Sequence, residues 1–290
     1  MDEERTHITE DEDLSLSRRG FAALSVAAGL TLSTAAQAAD SDVVETDVQV
    51  KTPDGTCDAA LYHPKGKGTW PAVVVFPDAL GLRPAFRDMG RRLASSGYVV
   101  LVPNPFYRSA KAPVFGPGFS FQNPDDMKKL GVLRAPMTPD AVGRDGVAFV
   151  AFLDSQKVTN RKAKAGVVGY CMGGPMTLQA AAGAPDRYGA GCSFHGGGLV
   201  SDRPDSPHLL VSKIKAAYHF GIATNDDQRQ PDVKDKLKAA FAAAGLPATI
   251  EVYEGTQHGW CVKDFAAIYN EAQAERAWSA MLALYKTALV

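Results

Sequence analysis

The chain carries only four cysteines, Cys57, Cys171, Cys192 and Cys261, in 290 residues. No two of them form a C-x-x-C pair or a zinc-like spacing. Neither a disulfide framework nor a structural metal site is therefore indicated, although one disulfide among Cys57, Cys192 and Cys261 stays open. An excess of one charge is equally lacking. With 31 Lys and Arg against 32 Asp and Glu, the formal net charge is −1, and no long basic run is present, so no nucleic-acid partner is expected. There is also no internal repeat, and no apolar stretch long enough for a stable membrane anchor. What is present, 46% hydrophobic and 22% charged residues, suits one large α/β domain acting on a small organic molecule.

Residues 1–38 stand apart. An acidic leader precedes "SRRGFAALSVAAGLTLSTAAQAAD", in which Arg18 and Arg19, a short apolar run and Ala36, Gln37 and Ala38 follow the pattern of a cleavable export signal. The paired arginines resemble a twin-arginine (Tat) signal, which implies the Tat translocase as a partner. Its removal leaves 39–290 as a single domain, expected in the periplasm or secreted, where conditions are oxidising.

From Val43 to Tyr62 alternating polar and apolar residues around "PDG" predict a hairpin. The runs "PAVVVFPD" (71–78), "YVVLVPN" (98–104) and "AKAGVVGY" (163–170) are continuously apolar, as strands buried on both faces are. Helical spacing falls between them, over 84–97, 139–155 and from Gly173 onward, and again over 231–245 and 270–288. Further strands are predicted near 189–196, 216–224 and 248–256. Strands alternating with helices imply an α/β fold, a mostly parallel doubly wound sheet with helices on both faces. The stretch 105–138, rich in Pro, Gly and Phe, fits no element and has the length of a cap over a pocket.

The strand-to-helix turn Gly169-Tyr170-Cys171-Met172-Gly173 has the form G-x-C-x-G, a nucleophile elbow with sulfur in place of oxygen. Flanking glycines suit a turn too tight for a Cβ, and the following helix directs its N-terminal amides at the sulfur. In hydrolases of this architecture an acid and then a histidine follow the nucleophile, each after a later strand. "TNDDQRQP" supplies Asp226 and Asp227 after one such strand, and "TQHGW" supplies His258 after the next. Of six histidines, His258 alone occupies the expected post-strand loop; His195, in "FHGGG", reads as a strand end.

From about Thr46 to the C-terminus the chain resembles the dienelactone hydrolase (carboxymethylenebutenolidase) family, which has the α/β-hydrolase fold and a Cys-His-Asp triad. "GYCMGG", "TNDDQRQP", "YEGTQHGW" and the closing "YNEAQAERAWSAMLALYK" carry the resemblance. It implies a lactone or carboxylic ester hydrolase using Cys171 and His258, without cofactor or metal. Because the family acid stands four residues before a proline, Pro231 selects Asp227 over Asp226. "FPDALG" (76–81) resembles the family's oxyanion loop. That likeness implies backbone donors at Ala79 and Met172, and a carboxylate, Asp78, that holds the resting thiol. The arginines that grip a substrate carboxylate in the family have no counterpart in "HGWCVKD", which leaves Lys263, Arg134 and Trp260 as candidates for substrate contact. The rival reading keeps the fold but makes the protein a non-catalytic periplasmic ligand-binding or thiol redox protein.

Overall fold

The alternation that opens the described part of the chain becomes a hairpin. In the computed structural model, which describes residues 42–290, β1 (Val43–Thr52) pairs antiparallel with β2 (Gly55–Pro64) across a turn at Pro53 and Asp54. The export signal expected over 1–38 lies outside the described residues.

The apolar runs then form the sheet's centre. β3 (Ala72–Phe76) leads to α1 (Pro84–Ser95), and β4 (Val99–Pro103) follows a turn in which Gly97 has φ +94°. Next come α2 (Pro124–Arg134), α3 (Pro139–Ser155), β5 (Ala165–Tyr170) and α4 (Gly173–Gly183). The remainder is β6 (Tyr188–Phe194), β7 (Ala217–Ala223), α5 (Thr224–Arg229), α6 (Val233–Ala244), β8 (Ala248–Tyr253) and α7 (Glu271–Ala288), with a 3₁₀ turn over Pro207–Lys213. The strand order is β1-β2-β4-β3-β5-β6-β7-β8, parallel from β4 through β8.

The sheet is doubly wound because its strands are apolar on both faces. In β3, Val74 and Phe76 join one core with Phe149 and Leu153 of α3, Leu178 of α4 and Phe241 of α6. Val73 and Val75 join the other, with Phe86 and Leu93 of α1 and Met281 and Tyr285 of α7. Period-two alternation sends neighbours to opposite sides, and each fully buried Val, Leu or Phe contributes about 1.5–3 kcal/mol.

Local chemistry sets the helix ends. The Thr138 hydroxyl accepts the Ala141 amide at 3.2 Å and Pro139 opens the first turn of α3, while α6 stops where Gly245 turns left-handed at φ +66°. Val147, expected on the apolar side of α3, is exposed instead. The stretch 105–138 is more ordered than its composition suggests: Asn123 accepts the amides of Asp125 and Asp126 at 2.9 and 3.4 Å and starts α2. Leu130 and Leu133 then join a small core with Ala79, Phe106, Val114 and Met172. Among the described residues no helix is long and apolar enough to cross a membrane.

Candidate active site

β5 runs straight into α4 through Cys171, whose φ of 51° is left-handed. Cys171 and His195 are the two non-glycine residues with positive φ among those described. Such a backbone costs about 1–3 kcal/mol and persists only where its surroundings enforce it. Here they do. A Cβ on Gly169 would strike the Gly173 carbonyl, and one on Gly173 would strike the Phe76 carbonyl of β3. The Cys171 amide donates to Phe194 O at 3.1 Å, and its carbonyl accepts the amides of Gly174 and Gly197 at 3.0 and 3.2 Å. The turn thus lifts the thiol off the carboxyl ends of the parallel strands, where open α/β sheets bind ligands.

His258 arrives from the loop after β8. The Thr256 hydroxyl donates to Tyr253 O at 2.6 Å, and the His258 amide donates to the Asn225 side-chain oxygen at 2.9 Å. Its Nδ1 lies 2.7 Å from Asp226 Oδ2. Burial disfavours a charged ring, but hydrogen bonds to Asp226 and to the Cys171 sulfur outweigh it and push His258 up to about 10.

The selection of Asp227 is corrected. "TNDDQR" is a short helix rather than a loop, so adjacent side chains leave it about 100° apart. Asp226 turns to His258, whereas Asp227 accepts a hydrogen bond from Lys234 Nζ at 2.6 Å. Counting back from Pro231 failed because spacing along a chain does not register which way a helical residue faces.

Asp78 requires a second correction. Its side chain is 2% exposed and is held by the Arg83 guanidinium at 2.6 and 2.9 Å, with the Leu80 amide also on Oδ1 at 2.9 Å. Both oxygens are committed to these donors rather than to the Cys171 sulfur. Arg83 also donates to Asp264 at 2.7 and 3.0 Å and thereby ties the loop after β3 to the segment after His258. Sequence reasoning missed Arg83, because its two partners lie on opposite sides of it in the chain.

A cavity of about 370 Å³ opens at Cys171. His195 and His258 share its floor with the sulfur, and Asp78 and Ala79 form one wall. Phe121, Phe265 and Ile268 close the rest. Phe121 belongs to the 105–138 stretch and continues a run of rings from Phe115 and Phe119, at 4.4 and 4.9 Å between centroids, to Phe265 at 6.5 Å. The Met172 amide belongs to the first turn of α4, where amides have no intrahelical acceptor. Ala79 lines the cavity with Cys171, and Met172 follows Cys171 directly in the chain.

His195 was set aside as a strand end, yet its ring lies 5.2 Å from that of His258. Both its nitrogens are buried without a hydrogen-bond partner, and burial drives its pKa well below the usual histidine range.

The three residues proposed for substrate contact lie elsewhere. Trp260 is fully buried between Tyr253 and His195, so bulk at this position serves the core behind the histidine loop. Lys263 lines a separate recess with Tyr170, Cys261 and Trp278, and Arg134 lines another with Met137 and Gln179. All four cysteines are free; burial pushes the Cys57, Cys192 and Cys261 thiols up. Among the described residues no three His, Cys, Asp or Glu side chains are grouped to hold a metal ion.

An Aquifex aeolicus protein provisionally named a carboxymethylenebutenolidase is 27% identical over 232 residues, 79% of this chain and 92% of its own. A Methylorubrum extorquens protein of the same provisional name is 27% identical over 277 residues, 91% of this chain and 90% of its own. Among solved structures, a provisionally named dienelactone hydrolase from Klebsiella pneumoniae aligns with TM-score 0.72 at 23% identity, covering 84% of this chain and 99% of that one. The dienelactone hydrolase-like promiscuous phosphotriesterase P91 from metagenomic libraries aligns with TM-score 0.70 at 20% identity, covering 86% and 100%. These likenesses establish the α/β-hydrolase fold. With the dienelactone hydrolase family model matching residues 57–289, the chain belongs to the dienelactone hydrolase family.

Proposed function

We propose that the protein hydrolyses lactones or activated carboxylic esters through a Cys171-His258-Asp226 triad. The observation that carries this reading is Cys171 held at φ 51° at the head of α4, lining one cavity with a histidine that Asp226 orients. Asp226 helps hold His258 raised to about 10, so the imidazole is disposed to take the thiol proton as the sulfur attacks. The sulfur attacks the carbonyl carbon, and the oxyanion forms beside the amides of Ala79 and Met172, donors of a kind worth about 3 kcal/mol each. The bond to the leaving oxygen then breaks as His258 gives that oxygen its proton. A water, deprotonated by His258, attacks the thioester; the acid departs and the sulfur regains its place. Segment 105–138, which contributes Phe121 to the cavity wall, acts as a cap that keeps bulk water from the thioester.

Aryl-ester kinetics test the assignment. Cys171→Ala and His258→Ala abolish turnover, and Asp226→Asn lowers kcat by about 10⁴, as removal of an orienting carboxylate does elsewhere. Asp227→Asn leaves kcat within about twofold, since a surface carboxylate paired with lysine contributes little. The reverse order of the two aspartate variants would return the acid role to Asp227.

We also propose export by the Tat route, supported by Arg18, Arg19 and the Ala36-Gln37-Ala38 site. Changing both arginines to lysine retains the precursor in the cytoplasm of a Tat-competent host; an unchanged periplasmic fraction would remove the proposal.

A further inference from the structure

Among the described residues, the surroundings of Cys171 hold carbon and paired carboxylates but offer no uncommitted cation. Phe121, Phe265, Ile268, Ala79 and Gly259 give the cavity apolar walls. Arg83, the guanidinium behind them, divides one positive charge between Asp78 and Asp264 and lies over the rings of Phe86 and Phe265 at 5.1 and 5.5 Å. The other cations around the site are committed as well. Arg229 is 3.8 Å from Asp226 and points into solvent, and Lys234 is on Asp227. Lys129 of α2 donates to Val114 O and sits over the Phe115 ring. Lys263 and Arg134 line other recesses. Burial disfavours a charged His195, and His258 is paired with Asp226 at 2.7 Å.

A carboxylate carried into this cavity would lose its water beside Asp78 and Asp226, whose partners Arg83 and His258 are already paired, with no unpaired cation among the described residues to replace it. Burying a charge without a partner is among the most unfavourable steps in recognition. An apolar group of similar size loses nothing polar and covers the Phe121, Phe265 and Ile268 walls. We infer that this enzyme takes neutral esters or lactones with a small apolar group beside the scissile carbonyl, and rejects those bearing a carboxylate there. The inference rests on the proposed hydrolase reading. A cavity of about 370 Å³ holds a short acyl chain or a single ring.

The test compares pairs in which a carboxylate is replaced by a neutral group: dienelactone against its methyl ester, and mono-4-nitrophenyl succinate against methyl 4-nitrophenyl succinate, with 4-nitrophenyl butyrate as a shorter apolar control. The expected result is a kcat/KM at least a hundredfold higher for the neutral member of each pair. Equal or faster turnover of the carboxylates would overturn the inference. Binding of the same probes to the Cys171→Ala protein, read by calorimetry, does not depend on turnover. Neutral probes at least tenfold tighter support the inference, and carboxylates bound equally or more tightly overturn it. An enzyme that hydrolyses none of the probes defeats the hydrolase reading, while calorimetry still decides the charge preference. In the reciprocal variant Ile268→Lys, the succinate ester gains at least tenfold in kcat/KM; no gain counts against the cavity wall as the origin of the selectivity.

Discussion

His258 is the residue on which the pH behaviour turns. Its pKa is raised above the ordinary value of 6.5 to about 10 by Asp226 and the Cys171 sulfur, against the opposing effect of burial. A raised histidine contributes stability that is fully present below the unfolded pKa and is lost as pH climbs through the folded one. The same proton is the one proposed to reach the leaving oxygen. For an enol ester, kcat/KM therefore holds across neutral pH and falls as pH passes about 10. In Asp226→Asn that alkaline limb moves to lower pH, because the first of the two raising hydrogen bonds is gone. A profile from pH 7 to 11, corrected for spontaneous hydrolysis, checks both statements; an unmoved limb in the variant would break the link between Asp226 and the titration. Asp226 itself was within reach of the sequence, one position from the residue selected. Nothing in the order of residues along "TNDDQRQP" shows which aspartate a helical turn directs inward.

Among the elements, the loop after β3 and the segment after His258 are joined by Arg83, whose side chain is 11% exposed. Removing one member of a buried ion pair leaves the other uncompensated, at a cost of about 3–5 kcal/mol. Asp264, 43% exposed, regains water when Arg83 is lost, whereas Asp78, at 2%, does not. Arg83→Met accordingly lowers the urea midpoint with little change in slope, and Asp78→Asn on top of it restores part of the loss. If the double variant is no more stable than the single, the buried charge is not the source of the cost. The strands and the longer helices were legible because their signals are local. The unbroken apolar runs of β3, β4 and β5 and the helical spacing of α3 over 139–155 were read as such. Helix α2 went unassigned although Asn123, Pro124, Asp125 and Asp126 form a helix start, a signal hidden among the surrounding prolines and glycines.

At the scale of the whole molecule, the two-faced sheet makes the site. Parallel strands buried on both sides oblige the chain to cross over each face in turn, which brings the ends of β3, β5, β6, β7 and β8 to one edge. Residues far apart in the chain, Asp78, Cys171 and His258, then line one cavity. The covering stretch completes it with Phe121, and the same architecture sends Lys263 and Arg134 into other recesses. Selectivity for uncharged substrates follows from this arrangement rather than from any single residue.

Local chemistry was enough for the fold class and for the strand-to-helix turn at Cys171, and it pointed to the post-strand loop that carries His258. Strand periodicity, a turn that admits only glycine on either side, and residue order after successive strands are all written within short windows. Tertiary structure decided which aspartate meets His258, that Asp78 belongs to Arg83 rather than to the thiol, and that His195, Phe121 and Ile268 surround the sulfur. Each of these depends on where a side chain points once distant segments have packed. Direction of that kind is set by the helix phase and burial of the assembled sheet, not by the spacing of letters.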